Sequence, residues 1–140
     1  MSICLSNSNF FQDGLGAQIQ RRFEVYLMAR EFGLDFNYLP IENFDSNYGD
    51  GLPTIQSREN EIALLEDIHN LKSFNCSHAK HIDVLSQDFI HKILIGSYRS
   101  KIALNLLKFF SALFNLHFRF YIDEPHKIGW DISSALKKYM

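Results

Sequence analysis

The sequence predicts an α/β domain with a Rossmann-like, mostly parallel sheet flanked by helices. Three observations predict it. A strand, a long helix and a second strand follow one another within about the first 40 residues, the order of a βαβ unit. Leu116, Phe118, Phe120 and Ile122 alternate with His117, Arg119 and Tyr121, a period of two that marks another strand. Between these ends, apolar residues recur mainly at helical spacing.

The elements follow in order. Ile3 to Leu5 forms a short strand, and Ser6 to Asn9 is a polar loop. From Ala17 to Phe32 the pattern is helical. Ile19, Phe23, Tyr26 and Leu27 make one stripe, and Val25, Met28, Ala29 and Phe32 make its neighbour. A helix apolar around so much of its circumference packs on both sheet and neighbours. Gly33 stops it. Leu34 to Leu39 alternates as a strand closed by Pro40. Glu42 to Thr54 is a long polar loop, of a length that is commonly functional or disordered. Ser57 caps an expected helix from Arg58 to about Phe74, buried through Ile62, Leu65, Ile68 and Leu71. His81 to Leu85 is a short strand, and Gln87 to Ile95 fits a helix better than a strand. Arg99 to about Asn115 is a helix. Lys101, Asn105, Lys108, Ser111 and Asn115 form a narrow wet stripe on it, and the rest belongs to the core or to a docking face. Ile132 to Met140 is a final helix.

Composition bounds the function. The chain has 140 residues, 46% hydrophobic and 21% charged, which excludes collagen, a coiled coil and a disordered tail. One domain over residues 1–140 is expected at this length. A formal charge of -2 excludes a broad nucleic-acid footprint. Two cysteines, Cys4 and Cys76, make no disulfide framework and point to a reducing compartment. The start has no basic, apolar secretory signal. The apolar-rich stretch Ile102 to Ile122 is interrupted by Asn105, Lys108, Ser111, Asn115, His117 and Arg119, so no transmembrane segment is expected. These readings together predict a cytoplasmic protein.

The most informative motif is Asp13-Gly14-Leu15-Gly16-Ala17-Gln18, followed by Ile19-Gln20-Arg21-Arg22. It lies between the first strand and the first helix, the position that faces the ligand crevice in an open α/β sheet. Gly14 and Gly16 permit a tight turn and a close approach of backbone to ligand. Gln18 and Gln20 offer neutral groups suited to sugar hydroxyls. Arg21 and Arg22 lie either on a solvated helix face or near enough to the crevice to meet phosphate. A dinucleotide fingerprint needs a third glycine where Ile19 stands, and no Gly-Lys-Ser/Thr of a P-loop is present.

Gly14-Leu15-Gly16-Ala17-Gln18, then a long helix containing Ala29-Arg30-Glu31-Phe32-Gly33, then a strand, resembles the opening of fucosyltransferase-like glycosyltransferases of the GT-B fold. The resemblance covers roughly residues 1–40, and Ala17 stands where the commoner form has Asn. It implies the N-terminal, acceptor-side half of an enzyme that transfers fucose or a similar sugar from a nucleotide sugar to a glycan hydroxyl, with no obligatory metal or other cofactor. On that reading Gly14, Gly16, Gln18, Arg21 and Arg22 bind substrate. The His-x-Arg-Arg-Gly-Asp run of that superfamily is not in the chain. A chain truncated relative to the two-domain enzyme is expected, working with a C-terminal domain, a partner chain or a second copy. The alternative is a non-enzymatic α/β interaction module docking on a partner chain.

Other clusters carry less. Cys76, His78 and His81, with His69 upstream, contain one Cys-x-His-x-x-His group and no second pair, so a His-rich loop is expected rather than zinc. Glu42, Asp45 and Asp50 in the long loop, and Asp123 and Glu124 after a strand, are solvated carboxylates or a general base.

Overall fold

The computed structural model of the chain describes residues 3–8, 15–41, 80–96 and 98–139. β1 (Ile3–Asn7) leads to α1 (Leu15–Phe32), which returns to β2 (Asp35–Asn37). Gly33 makes that reversal possible. Its φ of +63° is a conformation that side-chain-bearing residues rarely adopt, and the Leu34 N–H donates to the Ala29 carbonyl at 2.8 Å, closing the helix end. β3 (Ile82–Val84), α2 (Gln87–Leu94), α3 (Tyr98–Phe114) and β4 (Phe118–Ile122) follow. A short 3-10 turn (Pro125–Ile128) and α4 (Ile132–Tyr139) complete the described order. Ser86 caps α2, its hydroxyl accepting from the Phe89 N–H at 3.4 Å.

The four described strands form one sheet in the order β2-β1-β4-β3, and every pairing is parallel. The expected Rossmann-like α/β architecture is the one observed. Leu5 stands between Phe36 and Phe120, and Val84 extends that row. Side chains alternate between faces along a strand. One face therefore carries Ile3, Leu5, Phe36, Phe120 and Ile122, which join Val25, Met28 and Ile90 in the core. Burying each such side chain contributes roughly 1.5–3 kcal/mol.

The other face is polar, unlike most parallel sheets, which are apolar on both sides. Its groups satisfy one another across strands. Ser6 Oγ donates to the Asn37 carbonyl at 3.1 Å, Asn37 Nδ2 donates to Ser6 Oγ at 2.9 Å, and Arg119 Nε donates to Asp83 Oδ1 at 3.0 Å.

Several boundaries differ from expectation. β1 runs two residues further, to Asn7, because β4 pairs with it along its whole length. β2 spans three residues rather than six. The 3-10 turn was not foreseen from four residues of pattern. The expected loop Glu42 to Thr54 and helix Arg58 to Phe74 lie outside the described residues.

α3 corrects the sequence reading most. Lys108 and Ser111, assigned to a wet stripe, point into the protein. Ser111 is fully buried, with its hydroxyl donating to the Lys108 carbonyl at 2.8 Å. Lys108 Nζ donates to the Phe32 carbonyl at 3.1 Å, a bond to the C-terminal end of α1. That is where a helix carries partial negative charge and unpaired carbonyls, so an ammonium is favourable there. Lys101, Asn105 and Asn115 of the expected stripe stay exposed, whereas burying Lys108 and Ser111 turns the opposite side outward. Ile102, Leu106, Phe109, Phe110, Leu113 and Phe114 are 48–64% exposed. Among the described residues no helix is long and apolar enough to cross a membrane.

Candidate functional site

All four strands point the same way, so their carboxyl ends share one edge of the sheet. α1 begins at that edge, and its first turns are tied to both neighbouring strands. Arg22 is 3% exposed. Its Nε donates to the Leu39 carbonyl at 2.9 Å, Nη1 to the Gln18 carbonyl at 3.1 Å and Nη2 to the Pro40 carbonyl at 3.4 Å. The guanidinium also lies 5.7 Å from the centre of the Tyr38 ring. It thus fastens the chain leaving β2 to α1. Arg21, one residue earlier, forms an ion pair of 3.6 Å with Glu124, just beyond β4. Two adjacent arginines therefore hold the two walls of the edge, one on each side of β1.

Glu124 is a small hub. Lys127 Nζ lies 3.1 Å and His126 Nε2 3.1 Å from its Oε2. The hydrogen bond from Lys127 holds the Glu124 carboxyl below the usual range, with Arg21 and His126 acting in the same direction. On the far side, Gln87 Nε2 donates to the Tyr121 carbonyl at 2.7 Å and so joins the start of α2 to β4.

The floor of this edge is the end of β1. Asn7 is 2% exposed, yet its Oδ1 accepts no hydrogen bond. The adjacent Ser8 Oγ is also buried and without a partner. Burying a polar atom unpaired costs about 1–3 kcal/mol. Two neighbouring orphans of this kind sit at the strand end where α/β folds place ligands. Gly16, in the first turn of α1, faces open space: a Cβ built there meets nothing within 4 Å.

The sequence-derived residues distribute as follows. Gly14 lies outside the described residues. Gly16 is exposed at the head of α1. Gln18 is 5% exposed, turned into the protein rather than presented to solvent. Arg21 and Arg22 are held by Glu124 and by main-chain carbonyls, so their place is in the walls. Gln20 is exposed and donates to Glu24 at 3.0 Å. Asn7 and Ser8 were read only as part of a polar loop. The available signal was a pair of polar residues placed at the carboxyl end of an otherwise apolar strand, shortly before a glycine turn.

The other clusters gain little. Glu42, Asp45, Asp50, His69, Cys76 and His78 lie outside the described residues. His81 faces His117 with ring centres 6.1 Å apart. Cys4 is a buried thiol, in no disulfide, on the polar face of β1. Among the described residues no three His, Cys, Asp or Glu side chains converge as a metal site.

Comparison with protein-family models, with curated proteins and with solved structures returns no match to this chain. Its function is therefore read from its own atoms.

Proposed function

We propose that this chain is a cytoplasmic carbohydrate-handling domain of the fucosyltransferase-like kind, which takes a sugar at the carboxyl end of β1. The observation that carries the reading is the pair of buried, unpartnered acceptors Asn7 Oδ1 and Ser8 Oγ. Sugar hydroxyls donate, and two adjacent acceptors suit two of them. Open space beside Gly16 lets a ring approach the head of α1. The N–H groups there and the positive end of the helix dipole favour an electron-rich oxygen, whether of a glycan or of a nucleotide sugar.

In this scheme Arg22 and Arg21 are positioning residues. They fix the chain after β2 and the turn after β4, so that the end of β1 is framed before ligand arrives. Transfer would be accelerated chiefly by holding an acceptor hydroxyl in line with the donor carbon. Stabilising a leaving diphosphate falls to a donor site, which the resemblance places on a second half carrying the His-x-Arg-Arg-Gly-Asp run.

The test separates fold from site. Gly16→Ala removes a glycine from a helical first turn without a clash, so it raises stability by about 0.5–1 kcal/mol. The same methyl narrows the approach and weakens binding. Thermal-shift titrations with GDP-fucose, GDP and lactose, the last as a hydroxyl-rich disaccharide, measure both. Stabilisation of the parent by a sugar-bearing probe, reduced in Gly16→Ala, is the expected result. A parent that no probe stabilises contradicts the reading.

A further inference from the structure

We propose that the outer face of α3 is the interface with a second copy of this chain, packed antiparallel about a twofold axis. Four observations lead there, and none depends on the carbohydrate reading. First, the face is continuous. Ile102, Leu106, Phe109 and Leu113 follow helical spacing, with Phe110 and Phe114 beside them, and all are about half exposed or more. Phe109 and Phe110 meet edge to face with centres 5.7 Å apart, and Phe110 stacks on Phe114 at 6.3 Å. Aromatic rings already packed on one another present a pre-organised surface.

Second, the size fits. Six such side chains at this exposure offer roughly 700 Å² of apolar surface, close to the ~800 Å² that each partner contributes to a stable interface. An exposed apolar patch this large is unusual on a chain that stays single.

Third, the inward residues fix which side of α3 is left exposed among the described residues. Leu104, Lys108 and Ser111 are committed to the body of the protein, with Lys108 bound to the end of α1.

Fourth, the charge distribution selects a second copy and its direction. No charged side chain is among the six, so a twofold brings no like charges together at the centre. The first turn of α3 carries the exposed Arg99, on the same side of the helix as the six, and no acid, and its last turn carries no base. That is the reverse of what a lone helix prefers. An antiparallel copy sets Arg99 of each chain near the negative C-terminal end of the other α3. A twofold contact is also self-complementary by construction, so one patch serves both sides.

Sedimentation analysis of the 140-residue chain over a concentration series tests this. The expected mass is twice 16.3 kDa at tens of micromolar. Phe109→Glu combined with Leu113→Glu returns the chain to single copies with an unchanged circular dichroism spectrum, because both side chains are already exposed in one copy. Arg99→Glu raises the dissociation constant several-fold, and added salt shrinks that difference. Parent chain that stays at one copy through several hundred micromolar overturns the proposal. So does growth beyond two copies, or a double variant that leaves the mass unchanged. A single-copy parent that still binds the sugar probe sinks the dimer and leaves the carbohydrate site standing.

Discussion

α1 and α3 are nearly equal in length, and both are apolar around much of their circumference, yet they use their polar residues in opposite ways. α1 buries Val25, Met28 and Ala29 against the sheet and adds one buried cation, Arg22, whose bonds reach carbonyls 4, 17 and 18 residues away. α3 turns Lys108 and Ser111 inward and leaves its largest apolar side chains outside. The difference teaches that the polar stripe of a helix does not by itself mark the solvent side. A long side chain reaching an unpaired carbonyl outweighs it when the apolar face has another destination.

The sharpest way to break the comparison is the same chemical change on both helices. Met28→Ser, in the sealed layer between α1 and the sheet, should cost about 4 kcal/mol in denaturant unfolding. Leu113→Ser on α3 should change single-chain stability by less than about 0.5 kcal/mol. Equal losses would show that α3 is a core helix after all. Next in size is Arg22→Met, which leaves three carbonyls without their donor and should cost about 3 kcal/mol. Lys108→Met removes one bond to the end of α1 and should cost about 1 kcal/mol, seen as a modest drop in midpoint.

The smallest effect is a pH dependence. The Glu124 carboxyl is held below its ordinary range, so the folded state binds fewer protons there than the unfolded one. Its contribution is present above the ordinary carboxylate range and is lost as pH falls through the depressed value. Unfolding midpoints of Glu124→Gln should therefore fall less steeply between about pH 5 and pH 3 than those of the parent. Parallel pH profiles would remove Glu124 from the wall.

Much of the fold was legible. Gly33 announced the end of α1, and strict alternation announced β4, because both signals are local. The pair Phe89 and Ile90, repeated at Ile93 and Leu94, indicated α2 for the same reason. The lengths of β1 and β2 were less legible, since pairing with a neighbour decides where a strand stops. For α3 the sequence left core and docking face open, and it put Lys108 and Ser111 on the wrong side. The partner of Lys108 is a carbonyl 76 residues away, and a main-chain acceptor leaves no trace in residue type. Arg22 hid its role in the same manner. For the site, the turn at Gly16 was visible, whereas Asn7 and Ser8 passed for a polar loop. Their importance comes from lacking a partner, which only coordinates reveal.

The central claim is that the end of β1 holds a sugar. Amide chemical-shift mapping of the nitrogen-15-labelled chain during titration with GDP-fucose and lactose tests it most directly. The account predicts saturable shifts at Asn7, Ser8 and Gly16 with at least one of these ligands, while amides along the outer face of α3 stay in place. A spectrum unmoved by both ligands, or shifts gathered away from the end of β1, would contradict it.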